Sequence, residues 1–507
     1  MARRVVVTQY VRAGNAFLSK ALLSLNQPIT MNQQTDAAAQ PNDSSGSSRR
    51  AFLKTLSVAA AAPAALTGAA NAANVPTTQY LNLVTNHAST AANSRVRMAL
   101  IGTGGMGIGD MQTALMVEGV EVVAACDLYD GRLRRAKELW GDGLTVTRDY
   151  RTLIDRPDID AVINATTDHW HEKISTDAMR KGKHVYCEKP MVQKVEDGHT
   201  LIKVANETGK VFQVGSQFGS SIIISKAKDL LRAGEIGELV FVEAQYDRHS
   251  AMGAWQYSIP PDASPQTVDW DTYLGSAPKR PWDPLRFFRW RNYQDYGTGI
   301  AGDLYVHLLT TLHTITGSLG PNRVYSTGGL RYWKDGRDVP DIQLSIYDYP
   351  QTEQHPAFNL TTRTNFVDGG GGNYLVRLVG TEGDLSIGWD SLTVRRNKFP
   401  KAPGMSVDNF PKDQKELYIA EYNRLYPARP EMEGPKEMKY TVPKDYKGDR
   451  YEHFVNFFSS VREGKPNVQD ATFGLRACGP TQCGNQSYFQ KKIVSWDPAK
   501  MKIGSAV

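Results

Sequence analysis

The chain has 507 residues, enough for two or three domains with full hydrophobic cores. Its formal charge of +6 is unevenly distributed: residues 1–73 hold seven basic and two acidic residues, so the remaining chain carries only +1. A nearly neutral body without a block of Lys or Arg excludes nucleic acid as the main partner.

The first recognisable element is typical of a twin-arginine export signal. The motif Ser48-Arg49-Arg50-Ala51-Phe52-Leu53-Lys54 precedes an alanine-rich run that reaches Ala73, and Ala70-Asn71-Ala72 has the form of a cleavage site. The run is too short and too rich in alanine for a stable membrane span. The sequence therefore predicts a periplasmic or otherwise exported protein.

Two starts compete for this signal, because residues 1–30 lie unusually far upstream of the arginine pair. A start at Met31 gives an n-region of ordinary length, so Met1 and Met31 both remain open. A protein exported in the folded state takes its cofactor with it. We therefore expect any nucleotide cofactor to be tightly held and regenerated in place.

The glycine-rich stretch from Val96 to Gly107 predicts a strand, a tight turn and a helix. An apolar run leads into Gly102-Thr103-Gly104-Gly105-Met106-Gly107, and an amphipathic pattern follows. In a dinucleotide-binding unit the first glycine allows the turn, the second lets the backbone approach a pyrophosphate, and the third lets the helix pack close to the strand.

An acidic residue supports this interpretation. The strand pattern from Val120 to Ala125 ends near Asp127, 25 residues after Gly102, where a carboxylate accepts ribose hydroxyls. Asp127 favours NAD because it would repel a 2′-phosphate. Basic residues just downstream leave NADP open, namely Arg132, Arg134 and Arg135.

The chain continues as an alternation of strands and helices up to Val214, which indicates a doubly wound parallel sheet. Beyond Gln217, period-2 runs separated by turns indicate an α+β domain with a large, mostly antiparallel open sheet. We predict residues 400–450 to be mostly loop, followed by two closing helices. The predicted parts are an extension with signal peptide (1–73), a linker or arm (74–94), a Rossmann dinucleotide-binding domain (95–216) and a substrate-binding α+β domain (217–507).

Two motifs carry candidate catalytic groups. Lys189, in Glu188-Lys189-Pro190, follows a predicted strand, where its ammonium can stabilise a developing alkoxide. Asp303 and His307 have i, i+4 spacing on a predicted helix, so we expect the carboxylate to orient the imidazole as an acid or base.

Together these pieces resemble the glucose-fructose oxidoreductase and inositol dehydrogenase family, Gfo/Idh/MocA. The resemblance rests on Gly102 to Gly107, the run Thr167-Asp168-His169-Trp170-His171, the Glu188-Lys189-Pro190 turn, Gly215-Ser216-Gln217 and the Asp303/His307 pair. It implies hydride transfer on sugars or cyclitols and an open C-terminal sheet used for oligomerisation. It also implies that Lys189, Asp303 and His307 are catalytic.

The predicted cofactor contacts extend beyond the glycines. They are Gly102, Gly104, Gly105, Met106, Gly107, Asp127, Thr166, Asp168, His169, His171, Glu188, Lys189 and Gln217. The predicted substrate contacts are Lys189, Tyr246, Arg248, Arg289, Arg291, Asp303 and His307, because aromatic faces and forked donors suit sugar rings and anionic groups. Tyr305 stands where the family has a small residue, which predicts a narrower site.

The leading hypothesis is an exported oxidoreductase that moves hydride between a saccharide or polyol carbinol and tightly bound NAD or NADP. The alternative is a glycoside hydrolase that uses NAD for transient oxidation and elimination with no net redox. Against it, that branch of the family usually lacks the lysine that this chain keeps as Lys189. A non-catalytic sugar-binding module is the third reading.

The four cysteines match no zinc-ligand pattern, so no metal is expected. Cys478 and Cys483 are five residues apart in a predicted helix. A disulfide between them remains open in an oxidising compartment.

Overall fold

A computed structural model describes residues 78–83, 95–398, 404–427 and 434–506. The predicted signal peptide, its cleavage site and the two competing starts lie outside these ranges. Within them, no helix is both long and apolar enough to cross a membrane.

The first sheet is parallel and six-stranded. Apolar runs such as Val96–Ile101 form strands buried on both faces, as expected when helices cover a sheet on both sides. Its strands lie in the order β4-β3-β2-β5-β6-β7 and are β2 (Val96–Ile101), β3 (Val120–Cys126), β4 (Thr145–Thr147), β5 (Ala161–Asn164), β6 (His184–Glu188) and β7 (Phe212–Gly215). The connecting helices are α1 (Gly105–Ala114), α2 (Asp130–Trp140), α3 (Tyr150–Ile154), α4 (His171–Arg180) and α5 (Val195–Thr208).

The second sheet has eleven strands, mostly antiparallel. Buried and exposed residues alternate along strands such as Ile342–Tyr349, the pattern of a sheet with one face on the core. Besides β1 (Thr78–Asn82), its strands are β8 (Leu239–Asp247), β9 (Arg323–Gly329), β10 (Ile342–Tyr349), β11 (Phe358–Asn365), β12 (Asn373–Gly380), β13 (Gly383–Ile387), β14 (Ser391–Arg396), β15 (Glu437–Thr441), β16 (Val494–Asp497) and β17 (Lys502–Ala506). Their spatial order is β1-β15-β14-β13-β12-β8-β11-β10-β9-β16-β17.

The remaining helices follow β7 in the chain. They are α6 (Ile222–Arg232), α7 (Trp270–Leu274), α8 (Pro284–Phe288), α9 (Val306–Thr316), α10 (Lys412–Leu425), α11 (Asp449–Glu463) and α12 (Ala471–Gln490). The predicted boundaries assign α11 to the second domain. In the structure it packs on the parallel sheet, where Phe454, Phe457 and Phe458 join Met98 and Leu100 in one core.

The predicted fold class is confirmed: a parallel Rossmann sheet is followed by a large, mostly antiparallel sheet with helices. The prediction of mostly loop over 400–450 is wrong for two stretches, since α10 and β15 lie there. Helix α10 has no buried residue. Within the range 74–94, Thr78–Asn82 pairs in parallel with β15 as an edge strand.

Candidate active site

The glycine-rich turn holds a backbone conformation that only glycine adopts easily. Gly102 has φ +92°, and a Cβ there would lie 2.5 Å from the carbonyl oxygen of Ala165. A Cβ on Gly107 would lie 2.1 Å from the carbonyl oxygen of Gly102, so helix α1 approaches the strand closely. Because α1 begins at Gly105, its free N–H groups form a cradle for phosphate.

Asp127 follows β3 directly and lies beside the glycine-rich turn. Its carboxylate accepts hydrogen bonds from the backbone N–H of Thr103 (2.8 Å) and of Tyr129 (3.0 Å), and Arg132 Nη1 lies 3.4 Å away. Arg134 and Arg135 are paired elsewhere, with Asp262 at 3.0 Å and Glu138 at 2.7 Å. Of the three arginines that left NADP open, only Arg132 therefore lies beside Asp127.

A cavity of about 610 Å³ runs from the glycine-rich turn towards Arg291. Its lining includes the predicted cofactor contacts Gly102, Gly104, Gly105, Met106, Asp127, Thr166 and Glu188. The turn, the helix N-terminus and the acidic residue line one cavity, so the residues present fit a dinucleotide. Gly107 and Lys189 do not line it, and neither do the four side chains of Asp168, His169, His171 and Gln217.

Three of those four side chains support the cavity from behind. Gln217 Nε2 donates to Glu188 Oε1 at 2.7 Å. His169 is held by Thr167 Oγ1 at 3.0 Å and the carbonyl oxygen of Tyr273 at 2.9 Å, and burial lowers its pKa to about 4. His171 Nδ1 lies 2.7 Å from the carbonyl oxygen of Pro190, so it holds the turn beside Lys189.

Lys189 forms the centre of a buried charge cluster. Its Nζ donates to the carbonyl oxygen of Asp303 at 3.0 Å and to Oδ1 of Asp303 at 2.8 Å. Arg291 Nε donates to the same Oδ1 at 3.0 Å. Within the described part of the chain Nζ makes no other hydrogen bond, which leaves the third N–H of the ammonium for a substrate.

The charges of this cluster do not cancel. Burial alone would raise the pKa of Asp303, but Lys189 and Arg291 outweigh it and hold that pKa well below the usual range. Burial and the nearby charge of Asp303 raise the pKa of Asp168 to about 7. Below that pH one carboxylate therefore faces two cations, so the cluster is net positive and suits a developing alkoxide.

Asp303 and His307 share the start of one helix but not a hydrogen bond. Residues Ala301–Tyr305 form a π-helical turn that leads into α9, an irregularity common at functional sites. Asp303 is occupied by Lys189 and Arg291, and His307 Nδ1 is buried without a partner among the described residues. The expectation that Asp303 orients His307 is therefore wrong.

Aromatic rings position His307 instead. The ring of Phe218 lies 5.1 Å from that of His307, and the ring of Tyr246 lies 5.9 Å away. Burial, reinforced by the charge of Lys189, lowers the pKa of His307 well below 6.5. The imidazole is therefore neutral at physiological pH and can accept a proton.

The cluster around His307 extends to the surface through residues that the sequence analysis missed. Phe218 and Tyr246 contact Tyr374 and Trp389, whose indole is 54% exposed. Phe218 follows the Gly215-Ser216-Gln217 motif directly, but Tyr374 and Trp389 carry no sequence signal, because their proximity depends on the pairing of β12 with β8 and β13.

The predicted substrate arginines separate in the structure. Arg291 joins Asp303, whereas Arg289 donates to the carbonyl oxygen of Tyr257 at 2.9 Å and so holds a loop. Arg248 stacks on Tyr246 with 5.0 Å from Cζ to the ring centre. Tyr305 does not narrow the site, because its fully buried hydroxyl donates to the carbonyl oxygen of Gln343 in the sheet.

The four cysteines are buried and unpaired, so the disulfide that remained open between Cys478 and Cys483 is absent. Among the described residues, no group of three or more His, Cys, Asp or Glu side chains is placed to hold a metal ion.

Comparison with protein-family models covers most of the chain. Residues 96–216 match the model of the oxidoreductase family's NAD-binding Rossmann fold, and residues 228–495 match that of its C-terminal α/β domain. The chain belongs to the Gfo/Idh/MocA oxidoreductase family. The predicted family, the NAD-binding domain and the assignment as an enzyme are thereby confirmed.

Two curated relatives match part of the chain. The α-N-acetylgalactosaminidase of Shewanella oneidensis is 30% identical over 192 residues, which is 35% of this chain and 39% of that protein. A glycosyl hydrolase family 109 protein of Shewanella sp. W3-18-1 is 28% identical over 244 residues, 44% of this chain and 50% of that protein. The chain thus spans half or less of the length of these relatives.

Solved structures share the fold at low identity. The WlbA dehydrogenase of Bordetella pertussis, in complex with NADH and UDP-GlcNAcA, superimposes with a TM-score of 0.57 at 15% identity, covering 80% of this chain and 99% of that one. An oxidoreductase domain protein of Kribbella flavida gives a TM-score of 0.57 at 18% identity, covering 79% and 99%.

Proposed function

We propose that this protein oxidises a carbinol of a saccharide or polyol with a tightly held NAD. The observation that carries this proposal is the cluster of Lys189, Asp303 and Arg291: the ammonium has one unused N–H, and Arg291, which shares Asp303 with it, lines the cavity fitted for a dinucleotide. Bound NAD supplies what no side chain can, a ring that takes up two electrons and the hydrogen from carbon.

The side chains supply the proton transfer. A substrate hydroxyl bound to Lys189 Nζ loses its proton to the neutral imidazole of His307, and the net positive cluster stabilises the oxygen as negative charge develops. The electron pair that the O–H bond leaves on oxygen forms the new carbonyl bond, while the hydrogen leaves carbon with the C–H electron pair as hydride, which bound NAD would accept. In the reverse direction His307 returns the proton.

The aromatic cluster favours a sugar ring as the substrate. Phe218 and Tyr246 flank His307 and contact the half-exposed Trp389, so aromatic rings connect the imidazole with the surface. Pyranose rings carry C–H groups on one face that pack on such aromatic surfaces, while their hydroxyls suit Lys189 and Arg248.

The direct test follows the nucleotide inside the purified protein. Mass analysis identifies the nucleotide that is released on denaturation, and a panel of sugars and polyols is then added to the intact protein while nicotinamide absorbance is recorded. We expect NAD and reduction by at least one member of the panel. Purified protein without any nicotinamide nucleotide would contradict the proposal.

A second candidate is glycoside hydrolysis through transient oxidation, elimination, water addition and reduction. It is favoured by the names of the Shewanella relatives, a glycosidase among them, and disfavoured by the lysine at position 189. A panel of aryl glycosides separates the candidates: release of the aglycone without net formation of NADH identifies the hydrolase.

We also propose export and self-association. The Arg49-Arg50 signal supports the twin-arginine route, which is tested by locating the protein in cell fractions with and without an Arg49→Lys/Arg50→Lys change. The outer face of the large sheet exposes Val240, Tyr325, Leu344 and Ile346, an apolar surface suited to a second copy of the chain. Light scattering of the Leu344→Lys variant tests this association.

A further inference from the structure

One segment, residues 249–298, lies between β8 and the π-helical turn and forms one wall of the dinucleotide cavity; we call it the cover. It contains α7 and α8, and it contributes Tyr257, Tyr273, Phe287, Phe288 and Trp290 to the lining of that cavity. The glycine-rich turn and Asp127 line the same space. The cover is therefore the wall that faces the Rossmann cradle.

The first attachment of the cover is to the loop after β3, where Asp127 ends the strand. Asp130 N–H donates to the carbonyl oxygen of Thr267 at 3.0 Å, and Asp269 N–H donates to that of Leu128 at 2.9 Å. Asp262 accepts hydrogen bonds from the Tyr129 hydroxyl and, at 3.0 Å, from Arg134 Nη2.

The second attachment uses the Thr167-Asp168-His169-Trp170 run. The carbonyl oxygen of Tyr273 lies 2.9 Å from His169 Nε2 and accepts the Trp170 Nε1 hydrogen at 2.9 Å. At the end of the cover, Thr298 Oγ1 donates to Asp168 Oδ2 at 2.8 Å. The predicted cofactor residues Asp168 and His169 therefore fasten the cover and do not line the cavity.

The cover also has a hydrophobic cluster of its own, which includes Trp270, Tyr273, Phe287, Phe288 and the Rossmann residue Tyr129. Arg132, which pairs with Asp127, stacks on the rings of Phe288 at 5.5 Å and Phe287 at 5.6 Å. Tyr129 and Arg132, which lie beside Asp127, thus pack against the cover. Such a cluster resists local opening more strongly than an ordinary surface loop.

We propose that the cover retains NAD by enclosing its adenosine half, so that the nucleotide stays bound through successive turnovers. In a Rossmann domain the ribose of adenosine lies at the acidic residue after the second strand of the unit, here Asp127, and the cover is fastened beside that residue. The nucleotide leaves only when the cover detaches. This inference needs the NAD-binding domain but not the proposed sugar oxidation.

The experiment measures exchange of the bound nucleotide. Purified full-length holoprotein is mixed with an excess of deuterium-labelled NAD, desalted at intervals, denatured and analysed by mass spectrometry for the ratio of labelled to unlabelled NAD. We expect exchange by the native protein over hours. Complete exchange within the first desalting step would overturn the proposal.

Two variants test the attachments one at a time. Asp262→Ala removes the partner of Tyr129 and Arg134, and Thr298→Val removes the donor to Asp168 while keeping the shape of the side chain. Because each loses one or two hydrogen bonds, we expect exchange to accelerate about tenfold. Asp408→Ala is the matched control, since Asp408 pairs with Lys415 outside the cover.

Thermal unfolding of each variant separates loss of the cover from loss of the fold. Faster nucleotide exchange with an unchanged melting temperature supports retention of NAD by the cover. Unchanged exchange in both folded variants refutes it. If a variant does not fold, the exchange rate of the native protein still decides the proposal. If the protein exchanges NAD slowly but oxidises no sugar, the proposed retention by the cover stands and only the proposed reaction is refuted.

Discussion

The two ends of the site are built in different ways. The cofactor end is made of backbone: a turn with φ +92° at Gly102 and the start of α1, within a few consecutive residues. The reacting end is made of side chains that are far apart in sequence, with Lys189, Arg291 and Asp303 meeting at one carboxylate oxygen. A short sequence motif therefore determines the cofactor end, whereas tertiary packing brings the residues of the reacting end together.

This difference implies that the two ends can be damaged separately. Changes at the reacting end remove chemistry while the nucleotide stays bound, and changes in the glycine-rich turn remove the nucleotide and stability together.

The largest effect is expected for Lys189→Ala. Asp303 keeps its partner Arg291, so the protein folds and retains NAD, but the developing alkoxide loses its ammonium. We expect turnover to fall by about 10³-fold. Turnover is followed by nucleotide absorbance with the best sugar of the panel, and Lys173→Ala, an exposed lysine paired with Asp177, is the control. Undiminished turnover would remove Lys189 from the mechanism.

Next in size is the effect of His307→Gln, which should lower turnover about 10²-fold. Because burial and Lys189 lower the pKa of His307, the native enzyme should keep its activity from neutral pH to below 6.5 and lose it only as the imidazole gains a proton. The Gln variant should lack this acidic decline. A native profile that already declines above pH 6.5 would contradict the neutral imidazole.

At the cofactor end, Gly102→Ala should abolish NAD retention and cost about 1–3 kcal/mol of the free energy of unfolding, measured by urea titration of nucleotide-free protein. The cause is the clash of the new Cβ with Ala165 at a positive φ. Gly105→Ala is the matched control in the same turn, because a Cβ there meets no atom within 4 Å. Equal destabilisation by both changes would contradict the clash with Ala165 as the cause.

A smaller effect is expected at the mouth of the reacting end. Trp389→Ala should raise KM for a sugar about tenfold and leave kcat nearly unchanged, because the indole contributes binding and no chemistry. Tyr332→Ala, which removes another exposed ring (63% exposed) outside the aromatic cluster, should change neither constant. A loss confined to kcat would place Trp389 in the reaction itself.

The smallest effect concerns Asp168 and stability. Its pKa is about 7 in the folded protein against an ordinary value of 3.8, so between these pH values the folded state keeps a proton that the unfolded state loses. The contribution of Asp168 to stability therefore decreases as pH rises through this window. The unfolding free energy of Asp168→Asn minus that of the native protein should increase from pH 4 to pH 7. A constant difference would show that Asp168 is ionised throughout.

The sequence predicted the cofactor end well because periodicity and glycine spacing are local signals. Both sheets, the turn at Gly102 and the acidic residue Asp127 are where the pattern places them. At the reacting end the i, i+4 rule suggested an Asp303–His307 bond, but the turn there is π-helical and two cations already occupy the carboxylate. Trp389 could not be found, because its place depends on strand register.

Strand β1 places a limit on how this chain can fold during synthesis. Residues 78–82 pair only with β15 at residues 437–441, on the margin of the large sheet. A ribosome must translate more than 350 further residues before that partner exists. The last strand of the Rossmann sheet ends at residue 215, so that sheet can pair before the partner of β1 has been synthesised. Pairing of β1 is therefore a late event in the folding of the second sheet.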